Sequence, residues 1–100
     1  MNDFLLEVKR FLKFSEKTFV LATAQSSLEK LKDEIKEVEK AGTSFEKREE
    51  YIDCIMCLFD AAKRDGIHPE FIIKGFTHKI DKNIARTWKA NLDGTYSHVK

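Results

Sequence analysis

Proline occurs once and glycine four times in this chain of 100 residues, and no alternating run of β-branched residues is present. These scarcities exclude collagen-like and turn-dense all-β architectures and leave long, uninterrupted helical patterns. Cysteine occurs only as Cys54 and Cys57. A single C-x-x-C, with His68, His78 and His98 far off in sequence, does not make a zinc site, so both cysteines read as small apolar core residues. No apolar run approaches a membrane span, and residues 1–10 interleave charges with apolar side chains and carry no signal-peptide segment. The expectation is a cytoplasmic protein that engages no membrane. A dominant charge is lacking too: the formal net charge is +1, so the overall balance does not call for nucleic acid.

What is present is 42% hydrophobic and 35% charged sequence, enough for one domain over residues 1–100 with a modest core that a neighbouring subunit would enlarge. The spacing of Phe4, Leu5, Val8, Phe11 and Leu12 predicts a first helix over 3–14, with 15–23 as a connector. A second helix is expected to open at Ser26 or Ser27, Ser26 and Glu29 supplying a capping box. It carries the stripe Leu28, Leu31, Ile35, Val38 and stops at Gly42. Thr43 or Ser44 caps a third helix that runs to Asp65 before Gly66. That helix is apolar on so many sides that a place at a subunit interface is expected. Pro69 opens a fourth helix, Trp88 ends or follows it, and Asp93-Gly94 puts a turn in the tail. The fold class is all-α, about four helices completed by oligomerisation.

Four acids carry the chemistry. Glu34 and Glu37, then Glu50 and Asp53, are each spaced i, i+3, so both members of a pair project from one helix face. Asp53 lies in the otherwise apolar run 51–59, where an unpaired carboxylate is costly and calls for a cation, a partner or a water-filled cleft. The twelve residues between Glu37 and Glu50 suffice to finish one helix, turn at Gly42 and start its antiparallel neighbour. Four carboxylates without histidine or thiolate make a hard oxygen site suited to Mg²⁺, with Mn²⁺ an alternative. The Glu-x-x-His pairs of di-iron bundles are absent. Taken singly, an E-x-x-E in a Lys/Glu-rich helix is usually a solvated face; Asp53 within its apolar run shifts the balance towards metal. Lys79, Asn83 and Arg86 line one face of the fourth helix, two cations and an amide arranged to hold phosphate oxygens.

These stretches resemble a known family. Residues 31–38 and 50–53 are similar to the E-x-x-E and E-x-x-D signature of the MazG-like all-α nucleoside triphosphate pyrophosphohydrolases. Residues 15–19, residues 60–70, the series Lys79, Asn83, Arg86, Trp88 and the terminal His98-Val99-Lys100 narrow the likeness to the dATP/dGTP pyrophosphohydrolases of bacteriophages and prophages. The departures are Tyr51-Ile52 and Lys63, neither of them at the signature acids.

The resemblance implies Mg²⁺-dependent cleavage of a purine (deoxy)nucleoside triphosphate, dGTP, GTP or dATP, between the α and β phosphorus atoms. It implies that Glu34, Glu37, Glu50 and Asp53 hold the metal, and that Glu34 or Glu37 orients the attacking water and accepts its proton. Lys79, Asn83, Arg86 and Trp88 would then contact substrate, and Asp60 would support the metal ligands from behind. A homodimer or homotetramer is implied, in host cytoplasm if the chain is phage-encoded. Two other readings compete: a related pyrophosphatase for pyrimidine deoxynucleotides, and a non-catalytic helical oligomer that binds a protein partner. Nucleic acid is not expected as a partner.

Overall fold

The computed structural model describes residues 3–100. Its elements are α1 (Phe4–Thr18), α2 (Ala24–Lys40), α3 (Ser44–Arg64), α4 (Pro69–Ile84), β1 (Thr87–Ala90) and β2 (Tyr96–Val99). They fall into two compact units, one up to Glu70 and one comprising Phe71–Lys100. The four helices bear out the all-α expectation, and a short hairpin is added to it.

In the first unit α1 runs four residues beyond the expected end. Val8, Leu12 and Ser15 form its buried stripe, at i, i+4 and i+7. A serine at a core position argues for a helix end on sequence alone. Here its hydroxyl donates to Asp60 Oδ1 at 2.6 Å, so the polar group is satisfied inside and the helix continues. The next helix also starts earlier than expected, at Ala24. Thr23 is its N-cap, with Ser26 N donating to Thr23 Oγ1 at 3.0 Å and Thr23 N donating to Ser26 Oγ at 2.8 Å. Ser26 therefore closes the capping box from its third position instead of opening it.

A three-residue link joins α2 to α3. Gly42 is not in the left-handed region; the stop is made by extended Ala41, whose N–H donates back to Glu37 O. Thr43 caps α3 by accepting from Glu46 N at 3.1 Å. The two helices pack along each other. Their register is antiparallel: Ser27 meets Asp60, and two turns further along α2 Glu34 meets Asp53, two turns back along α3. At the far end of α3, Gly66 takes φ +86°, Gly66 N donates to Lys63 O and Ile67 N to Ala62 O. This is a Schellman stop, which a side chain at position 66 would strain.

Among the described residues the buried apolar side chains are few, Val8, Leu12, Ala61 and Pro69, accompanied by the polar Ser15, Ser27, Glu34 and Asp60. On α3, Tyr51, Ile55, Met56 and Leu58 remain exposed.

In the second unit, β1 and β2 pair antiparallel with Trp88 opposite His98 and Ala90 opposite Tyr96. Gly94, at φ +88°, donates its N–H to Asn91 O, and Asn91 N donates to Thr95 O. This is a three-residue hairpin loop ending in a left-handed glycine. The Trp88 and His98 rings meet edge to face at 6.0 Å, and Trp88 Nε1 donates to Asn83 O at 2.8 Å, tying the hairpin to the end of α4. The Asp93-Gly94 turn was legible, but strands of four residues are too short to register as an alternating run.

Candidate active site

The α2–α3 register brings Glu34, Glu50 and Asp53 together. One carboxylate oxygen from each lies within 4.8 Å of the other two. Glu34 is buried on the face of α2 that meets α3, and Glu50 and Asp53 rise one turn apart from α3. Lys30, one turn before Glu34, places Nζ 3.1 Å from Glu34 Oε1. This is an internal counter-charge.

Crowding tells on the protons. Desolvation in the groove raises Glu50 above the ordinary carboxylate range, and the charges of Asp53, Glu34 and Glu37 push the same way. Asp53 is raised by desolvation, then by the charge of Glu34 and a hydrogen bond with it. Three carboxylates converging without nitrogen or sulfur donors form a donor set that fits a hard divalent cation. Glu37 stands one turn on from Glu34, outside this trio. It lines a neighbouring cleft of about 330 Å³ with Glu50, Glu46 and Glu49.

Asp60 lies two turns along α3 from Asp53, in a different setting. Burial alone raises its carboxyl, but hydrogen bonds from Ser15, Ser27 and Arg64, with the Arg64 charge, outweigh burial and hold it below the ordinary value. Ser27 Oγ donates to Asp60 Oδ2 at 2.7 Å, and Arg64 Nε to the same oxygen at 2.9 Å.

Glu50 opens on the cleft it shares with Glu37, while Glu34, Asp53 and Asp60 line one cavity of about 490 Å³. Phe11, Phe14 and Phe19 give it an aromatic wall, and Met56 and Cys57 also line it. Phe14 and Phe19 meet edge to face at 5.6 Å. Both cysteines are free and partly buried; burial, then the Glu34 charge, pushes Cys57 up to about 11. Sequence reasoning missed Lys30, the aromatic wall and the serines. The available signals were a lysine four residues before a core-facing acid and two serines at positions where a stripe calls for apolar residues.

In the second unit, Lys79 and Asn83 sit one turn apart on α4, and Arg86 follows the helix end. Arg86 Nη1 donates to Asn83 Oδ1 at 3.2 Å, so Asn83 joins Arg86 through its side chain and Trp88 through its carbonyl.

The opposed shifts give the metal-free protein a stability maximum on the acid side of neutrality. Raised folded-state values for Glu50 and Asp53 contribute stability that is full below the unfolded values and lost as pH rises through the raised ones. The lowered value of Asp60 works in reverse: its contribution is present above the unfolded value and lost as pH falls through the lowered one. In EDTA, Tm should therefore rise as pH is lowered from 7 towards the ordinary carboxylate range, and fall below it. A Tm that drops steadily from pH 7 downward would contradict the crowding of the trio.

The sequence model of the family described as dATP/dGTP pyrophosphohydrolase matches residues 7–100. Among solved structures, the chain is similar to the cyanophage S-2L MazG-like pyrophosphohydrolase bound to dGDP and three catalytic Mn²⁺ ions per active site. That likeness has a TM-score of 0.79 at 18% identity and covers 96% of this chain and 93% of that one; at such identity it establishes the fold. No curated protein matches the sequence.

Proposed function

Since the chain belongs to the dATP/dGTP pyrophosphohydrolase family, and so is a hydrolase acting on nucleoside triphosphates, we propose that it takes a purine deoxynucleotide, dGTP or dATP, with Mg²⁺. Cleavage falls between the α and β phosphorus atoms and releases monophosphate and pyrophosphate. The observation that carries this reading is the convergence of Glu34, Glu50 and Asp53 at the edge of a cavity with an aromatic wall, which Glu34 and Asp53 line. Its volume of about 490 Å³ lies in the range of small-molecule sites.

Glu34, Glu50 and Asp53 would hold the cation, which would neutralise phosphate charge and acidify a water. Glu37, outside the trio but on the same stretch of α2, orients the water and accepts its proton. Its place outside the trio favours Glu37 over Glu34 for this role. Water attacks directly and no covalent intermediate forms. Within the second unit, Lys79 and Arg86 carry the positive charge that suits phosphate oxygens, and Arg86 is held by its bond to Asn83. Phe11, Phe14 and Phe19 offer flat faces to the base, where one stacking contact contributes about 1–3 kcal/mol. The exposed apolar surface of α3 is covered by further copies of the chain, in a dimer or tetramer.

Incubation with Mg²⁺ and each common (deoxy)nucleoside triphosphate, followed by product separation, tests the reading. Monophosphate and pyrophosphate from one purine are expected. Diphosphate and phosphate, or a pyrimidine as the best substrate, would refute the bond or the base.

A further inference from the structure

The link from α1 to α2, residues 19–23, forms part of the aromatic wall and has little packing to fix it. Phe19, Val20 and Leu21 are 47%, 72% and 93% exposed. One guanidinium ties it to α3. Arg64, on the last turn of α3, donates Nη1 to Ala22 O at 2.8 Å and Nη2 to Phe19 O at 3.3 Å. The same Nη2 reaches Ser15 Oγ at 3.1 Å and Ser15 O at 3.4 Å, and Nε donates to Asp60 Oδ2. Those carbonyls belong to the C-terminal end of α1 and the link beyond it; Ser15 O also accepts from Phe19 N and Phe19 O from Ala22 N, so the guanidinium joins the link's own hydrogen bonds to α3. Asp60 in turn is fixed by Ser15 on α1 and Ser27 on α2. The arrangement ties three helices and the link at a single point.

We propose that Arg64, aimed by Asp60, is a positioning residue for the nucleobase. It holds the α1–α2 link so that Phe14 and Phe19 shape the cavity, and it acts on nucleotide affinity instead of on the metal. This rests on the assignment of the aromatic wall to the base. It also gives Asp60 a different task from support of the metal ligands: both of its oxygens are engaged by Ser15, Ser27 and Arg64, two turns from the trio. A planar fork with five N–H donors suits this task. Lysine would keep the charge beside Asp60 and lose the simultaneous reach to Ala22 and Phe19.

The test is Arg64→Lys beside Phe19→Leu, which alters the wall and leaves the guanidinium in place. In Arg64→Lys, KM for the preferred nucleotide should rise on the order of tenfold while kcat stays within about twofold. Inhibition by inorganic tripolyphosphate, which has no base, and Mn²⁺ binding by titration should match the parent. Phe19→Leu should show the same split. Hydrogen exchange supplies a readout independent of turnover: amides of 19–23 should exchange faster in Arg64→Lys and at the parent rate in Phe19→Leu.

A fall in kcat at constant KM, an equal loss of tripolyphosphate binding, or unchanged exchange across 19–23 would each overturn the proposal. If the parent protein turned over no nucleotide, the substrate reading would fail and the nucleobase role with it. The exchange result would still decide whether Arg64 holds the link.

Discussion

Glu50→Gln and Asp53→Asn should each abolish turnover, by on the order of 10²–10³-fold or more, while the metal-free protein melts no lower than its parent at neutral pH. Both substitutions preserve shape and remove a charged oxygen donor. An amide retains one carbonyl oxygen but carries no net negative charge, so it holds a hard divalent cation poorly. The effect on the fold has the opposite sign because the trio is crowded. Glu50 and Asp53 are both raised, by desolvation first and then by neighbouring acids, so their ionised forms oppose folding at pH 7. Removing one charge relieves the other two acids. The paired measurement is product formation with Mg²⁺ and thermal unfolding in EDTA, with Mn²⁺ titration to follow metal affinity directly. Turnover surviving in both variants would reject the metal assignment, and a sharp drop in Tm would reject the crowding.

Asp60→Ala should have the largest effect on stability, a loss of about 3–5 kcal/mol. The substitution strands Arg64, whose side chain is only 17% exposed, and removes the acceptor for two buried serine hydroxyls. Small domains are stable by about 5–15 kcal/mol, so a large share of the folded population is at risk. Replacing both partners, Asp60→Leu with Arg64→Met, should cost markedly less than Asp60→Ala, because no buried charge is then left unpaired. Urea unfolding of Asp60→Leu, Arg64→Met and the double measures the coupling. If Asp60→Ala lost under about 1 kcal/mol, the network would be no more than a surface ion pair in effect.

The legible part of this protein is the part governed by helical periodicity. Glu50 and Asp53 share a face because they are one turn apart, and the short link around Gly42 forces the antiparallel return that brings Glu34 to them. The same periodicity put Glu37 with Glu34. It does not say which of two neighbouring turns meets the partner helix, and the trio closes on Glu34 alone. Ser15 misled because a polar residue in an apolar stripe is satisfied only by a partner 45 residues away, which no local pattern encodes. Thr23 and Ser26 are both competent caps, and only the backbone decides which of them leaves helical geometry. Phe14 and Phe19 meet across a helix end, where helical spacing no longer applies.

Cys57 gives the cavity a property that its C-x-x-C spacing disguises. A thiol pushed up to about 11 holds roughly one thiolate in ten thousand at pH 7. Peroxides, disulfides and alkylating reagents all react through the thiolate, and burial raises Cys54 as well, so both thiols should react slowly with an alkylating reagent at pH 7. The sulfur of Cys57 lines the cavity as a soft, polarizable surface.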